Sequence, residues 1–323
     1  MISPNRVFLA FLGTTTLLAQ PAIVYTHAPN GGPPWPVEDV YSMNADGSNA
    51  KALTNDGHSH NAVWSPDGKR VLFIHDAALQ TEPDYAGKGL ESSHPVELYV
   101  MDRDGGNRHL LRRIEPVIYS AAWSPDGTTI AITSGVPLRP TEPATVGLFL
   151  LRADGQGELR LLFRDAYTPA WSPDGKKLAF SKEEPRGVWT LHTANSDGSN
   201  DVQLTDPSLT AGSPSWSPDG KSLAFDQSSG RQRQIFVMAV DGSQSRQITS
   251  VAGQSCEHSS WSPDGNRLVF SCRSPAPSCG TVSSVGTMMP ECTRRLFSAD
   301  PRTTNPAPVQ ISESDGAFPE LTP

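Results

Sequence analysis

The chain has 323 residues and a formal net charge of −8. That acidic balance argues against a nucleic-acid backbone as partner, which needs a basic surface, and against adsorption to anionic lipid. No apolar run reaches the roughly 18 residues needed to cross a bilayer, so no transmembrane span is expected.

In chain order, residues 1–19 stand apart. Arg6 precedes an apolar run from Val7 to Leu12, and the apolar character continues to Ala19. This is the outline of a short signal peptide cut after Ala19, although Leu17 is large for its place two residues earlier. A buried or frayed N-terminal strand is the alternative. The remainder, 20–323, reads as one domain of a periplasmic or secreted protein.

Residues 22–27, 39–43 and 51–54 match the second, third and fourth strands of a four-stranded unit that lacks its first. Five copies of Trp-Ser-Pro-Asp-Gly follow, beginning at Trp64, Trp123, Trp171, Trp216 and Trp261. The later copies recur every 45 residues, the mark of one supersecondary unit stacked repeatedly. The unit is clearest at 213–250. Alternating residues lead into Trp216, and Ser-Pro-Asp-Gly turns the chain into the run from Lys221 to Phe225. The run from Gln234 to Met238 then reaches Asp241-Gly242 and a last short strand from Arg246 to Thr249. Pro presets φ for a type I turn, and Gly takes the left-handed position that follows. The second Asp-Gly turn recurs at Asp46, Asp104, Asp154, Asp197 and Asp241. Turn geometry explains these carboxylates better than calcium binding or catalysis, and the repeated Trp reads as a packing residue between units.

The C-terminal segment 315–323 resembles a lone first strand, with Leu321-Thr322-Pro323 where Trp-Ser-Pro would stand. It can complete the N-terminal unit. The expected fold is all-β: a six-bladed β-propeller of four-stranded antiparallel blades, closed by the C-terminal strand and monomeric. The Trp-Ser-Pro-Asp-Gly copies and Met43-Asn44-Ala45-Asp46-Gly47-Ser48 resemble the repeats of the TolB-type propeller family, over nearly all of 22–323. That resemblance implies the periplasm and envelope integrity or transport machinery. TolB carries an N-terminal α/β domain that this sequence does not show, so contacts made through that domain are not implied here.

The four cysteines lie in the last blade. The turn near Asp264 sets Cys256 opposite Cys272, predicting a cross-strand disulfide, with Cys279–Cys292 closing the neighbouring insertion. Three pairings remain formally open, and the spacings are poor for zinc. The long segments 28–38, 76–96, 135–146 and 273–293 all join second to third strands, which builds up one face. Histidines fall on that face. His27 and His75 end the second strands of blades one and two, His58 and His60 precede the first strand of blade two, and Glu257-His258 precede that of blade six. Four residues before each Trp, the row His60, Tyr119, Tyr167, Gly212 and Glu257 should ring the mouth of a central channel.

These are the candidate ligand-binding residues, and they suit a protein, peptide or envelope glycan. No cofactor is expected; a divalent metal held by the histidines is the alternative. The sequence has no Gly-x-Ser-x-Gly elbow, His-Glu-x-x-His, Walker loop or dinucleotide fingerprint, so it names no catalytic residue. The reading is a non-enzymatic binding or scaffold module. Its alternative is a metal-dependent lyase: some oligogalacturonate lyases resemble this repeat family and hold a metal with channel histidines. Lys182 and Arg273 are the nearest cations for an acidic sugar.

Overall fold

The computed structural model describes residues 22–27, 38–76, 96–115, 117–137, 144–185, 187–230, 232–251, 253–273, 294–303, 308–312 and 317–321. Among these there is no helix. The strands form six separate antiparallel sheets of four. Five blades are consecutive in sequence. The remaining one, blade one, is composite: Ala317–Leu321 pairs with Ala22–His27, which pairs with Asp39–Asn44 and so to Lys51–Ala52. Ile23 faces Leu321, and Val24 faces Glu320. The six first strands touch their neighbours in a closed ring, so they line the centre.

The Trp-Ser-Pro-Asp-Gly turn is held by its own side chains. In blade four Ser172 Oγ donates to Asp174 Oδ1 (2.7 Å), Asp174 Oδ1 also accepts from the Lys176 amide, and the Lys177 amide donates to Ser172 Oγ. The same three bonds recur in the other four copies. Gly175 closes the turn at φ +70°. The indoles work between blades: Trp171, Trp216 and Trp261 each donate Nε1–H to a first-strand carbonyl of the preceding blade, those of Ala122, Ala170 and Ser215. At the second turn glycine is required by close approach. A Cβ on Gly155, at φ +74°, would lie 2.3 Å from the carbonyl oxygen of Leu111 in the preceding blade.

The core lies in the layers between blades. Second strands are buried on both sides, so they read as continuous apolar runs. In blade four Leu178 and Phe180 pack against Ala131 and Leu148 of blade three, while Ala179 packs against Leu223 and Phe225 of blade five. Large residues face the preceding blade and a small one faces the next. Tyr25, Phe73, Phe180, Phe225 and Phe270 hold equivalent buried places; blade three has Ile132 there and Phe149 on the adjacent strand.

Two expectations are corrected. Residues 135–146 are not a long loop throughout: strands Thr129–Pro137 and Ala144–Arg152 extend into it, with Gly135 facing Val146. The fourth strands of blades one and five stop at Ala52 and Gln247 instead of Thr54 and Thr249. The Thr54 hydroxyl accepts the Val40 amide at 2.9 Å and donates to Asp39, taking the place of the ladder bond. Thr205, Thr249 and Ser312 do the same in blades four, five and six. Residues 1–19, most of the segments 28–38, 76–96 and 273–293, and with them Cys279 and Cys292, lie outside the described residues. Cys256 and Cys272 are paired in register and joined by a disulfide.

Candidate ligand-binding face at the channel mouth

Each first strand begins at the mouth and carries a bulge just inside it. Register shifts fall at His60–Val63, Tyr167–Ala170, Gly212–Ser215 and Glu257–Ser260. Within them Asn61, Thr168, Ser213 and His258 sit at φ between +48° and +55°, a left-handed conformation unusual for residues with a Cβ. Neighbouring side chains take up the groups so exposed. The Asn61 amide donates to Thr26 Oγ1 of blade one (3.1 Å), the His258 amide to Asp226 of blade five (3.3 Å), and Thr168 bonds Ser181 (2.8 Å). The bulges turn the four-before-Trp row into the opening.

That row is not uniform, and the structure divides the candidate residues into three groups. In blade two His58 and His75 meet edge to face with centroids 5.7 Å apart. His75 Nδ1 lies 3.4 Å from Ser59 Oγ and 3.1 Å from the guanidinium of Arg108, which itself pairs with Asp56. Burial pushes the His60 imidazole down to about 4, with Asp76 opposing and His75 assisting. His27 is apart from them, its ring edge-on to Tyr41 at 4.8 Å. Between blades three and four the group is aromatic. Tyr119 is 41% exposed, its ring 5.9 Å from Tyr167, which stands edge-on to Trp189 at 4.3 Å. The third group is ionic. Glu257 accepts from Arg273 (3.4 Å), and fully buried Asp226 pairs with Arg233. Arg233 reaches the mouth because the row has Gly212 there: a Cβ on Gly212 would lie 3.1 Å from the guanidinium. Burial raises the Asp226 carboxyl to about 6, against the pull of Arg233.

Sequence reasoning missed Asp226, Arg233 and Trp189. Asp226 had a legible signal: its equivalents Thr26, Ile74, Thr133, Ser181 and Ser271 carry no charge. Among the described residues no group of three or more His, Cys, Asp or Glu is placed to hold a metal. The two lyase candidates are both engaged, Lys182 with Asp201 at 3.1 Å and Arg273 with Glu257.

The half-buried His60 and the buried Asp226 act in opposite directions. His60 is neutral in the fold and takes a proton more readily once unfolded, so its contribution is intact above pH 6.5 and is lost as pH falls towards 4. At the limit this is on the order of 3 kcal/mol. Asp226 binds its proton more tightly in the fold, so its contribution is intact below pH 3.8 and is lost as pH rises through 6. His60→Gln should therefore flatten the fall in melting temperature between pH 6.5 and 4, and Asp226→Asn should steepen it. Melting curves across that window check both signs.

Fold and mouth together define a six-bladed propeller whose centre is ringed by varied polar and aromatic side chains, the architecture of a binding or scaffold module. The chain belongs to the TolB β-propeller domain family, whose model matches residues 77–289. Among solved structures it is similar to a TolB described as putative from Agrobacterium tumefaciens. That match has 20% identity and a TM-score of 0.66, over 92% of this chain and 90% of that one. TolB from Acinetobacter baumannii matches with 15% identity and a TM-score of 0.68, over 94% of this chain and 66% of that one. An oligogalacturonate lyase from Vibrio parahaemolyticus matches with 16% identity and a TM-score of 0.52, over 84% and 71%. At these identities the likeness is one of fold. No protein of curated function matches the sequence.

Proposed function

We propose that this chain is an exported binding module that engages a protein or peptide of the cell envelope at the channel mouth. One contrast carries the reading. The turn face repeats: Asp67, Asp126, Asp174, Asp219 and Asp264 each spend a carboxylate oxygen on their own turn. The mouth row varies around the ring, from His60 through Tyr119, Tyr167 and Gly212 to Glu257, with four residue types in five blades. A position that the repeat needs for folding stays the same from copy to copy. One that varies on a rigid frame is free to serve recognition. Export is supported by the signal-like segment 1–19 and by the Cys256–Cys272 disulfide, a bond that persists in oxidising compartments.

The test is photo-crosslinking in envelope extracts, with the crosslinking residue placed at Tyr119 or, on the opposite face, at Gln156. A discrete adduct from position 119 and none from 156 is the expected result. Adducts from 156 alone, or equally from both, would reject the mouth as the binding face.

A further inference from the structure

The aromatic group between blades three and four has a chemistry that narrows the ligand. Tyr119 and Tyr167 come from neighbouring first strands, and Trp189 from the third strand of blade four, so two adjacent blades build one surface. Its backbone is braced from a further blade: Asn61 Nδ2 donates to the Tyr119 carbonyl at 2.5 Å. Exposed Asp165 and Glu183 flank the rings, and the Glu183 amide donates to the Asp165 carbonyl at 2.8 Å, holding the two segments together. Burial, with the Glu183 and Asp165 carboxylates nearby, pushes the Tyr167 phenol up to about 12, so it stays neutral. Among the described residues, the neighbouring Lys182 bonds Asp201 and Arg233 pairs with Asp226.

An exposed aromatic face bordered by carboxylates suits a cation. The ring quadrupole attracts positive charge, and the carboxylates add Coulomb attraction in the same direction. A chain of net charge −8 favours approach of the same sign of ligand. We propose that Tyr119, Tyr167 and Trp189, with Asp165 and Glu183, form a subsite that takes a lysine or arginine side chain of an extended basic peptide. The proposal rests on the mouth being the binding face and names the ligand class for one sector of it.

The probe is a hexapeptide of alternating glycine and lysine, titrated into the full chain while the indole N–H signal of Trp189 is followed by NMR, that signal being assigned with Trp189→Phe. The expected result is a saturable shift. Exposed Tyr119→Ala should weaken the peptide about fivefold without changing the melting temperature. Glu183→Gln should weaken it similarly and reduce the dependence on salt. The glycine–glutamine analogue should leave the signal in place. An equal shift with that analogue or with a neutral oligosaccharide, no saturable shift, or a shift indifferent to Tyr119→Ala overturns the proposal. The two readings fail separately. Crosslinks from position 119 that the lysine peptide does not compete away would keep the mouth as binding face and reject the basic ligand; no crosslink there removes the wider reading as well.

Discussion

Deletion of the strand Ala317–Leu321, together with the two residues after it, is expected to abolish cooperative folding or to lower the melting temperature by tens of degrees. The strand is the only backbone partner on one side of Ala22–His27 among the described residues. It also touches the first strands of blades six and two, so its loss opens the ring at two interfaces. Ile23, Val24 and Tyr25 are buried next to it. Uncovering side chains of that size costs roughly 1.5–3 kcal/mol each, a sum comparable with the whole stability of a typical domain. A free β-edge would remain, which favours aggregation over refolding. Circular dichroism and calorimetry on the truncated chain measure the effect. Unchanged unfolding would refute closure by the composite blade.

The parts of the fold that repeat were legible because they are local. Ser-Pro-Asp-Gly carries its own hydrogen bonds, so the turn can be read without knowing what surrounds it. Once the turn is placed, hairpin register follows, and Cys256 does face Cys272. The composite blade was legible by subtraction, a first strand missing at one end and a spare one at the other. What escaped is set by neighbours. Nothing in Thr168 or Ser213 announces a left-handed conformation; it comes from the bulge that each first strand makes beside the preceding blade. Arg233 was not read as a mouth residue because it belongs to a third strand, and its guanidinium packs close over Gly212 of the first strand. Trp189 was hidden for the same reason: it too lies on a third strand. Residues 135–137 looked loop-like through Gly135 and Pro137, yet pairing with 144–146 keeps them in a strand.

Phe180→Ala is expected to be the most damaging single substitution near the mouth, at about 3–5 kcal/mol. Phe180 is fully buried, stacked on Phe163 of the preceding blade at 4.5 Å and on His192 of its own at 5.6 Å. Removing the ring empties the layer shared with Ala131, Leu148, Ala166, Leu178 and Ala194. Three of these are alanines and have no reach with which to refill it. The ring contacts themselves add to the loss. His192 would also lose its stacking surface while still held by Asp201 Oδ1 at 2.6 Å and Thr190 Oγ1 at 3.1 Å. The next residue, Ser181, is paired with Tyr167, so the disturbance should reach the aromatic group. Phe180→Leu keeps most of the volume and should cost appreciably less, while Tyr119→Ala, at an exposed ring, should stay within about 0.5 kcal/mol of the parent. Urea unfolding of the three variants separates packing from recognition. If Phe180→Ala matched Tyr119→Ala in stability, the inter-blade layer would not be what holds the mouth in shape.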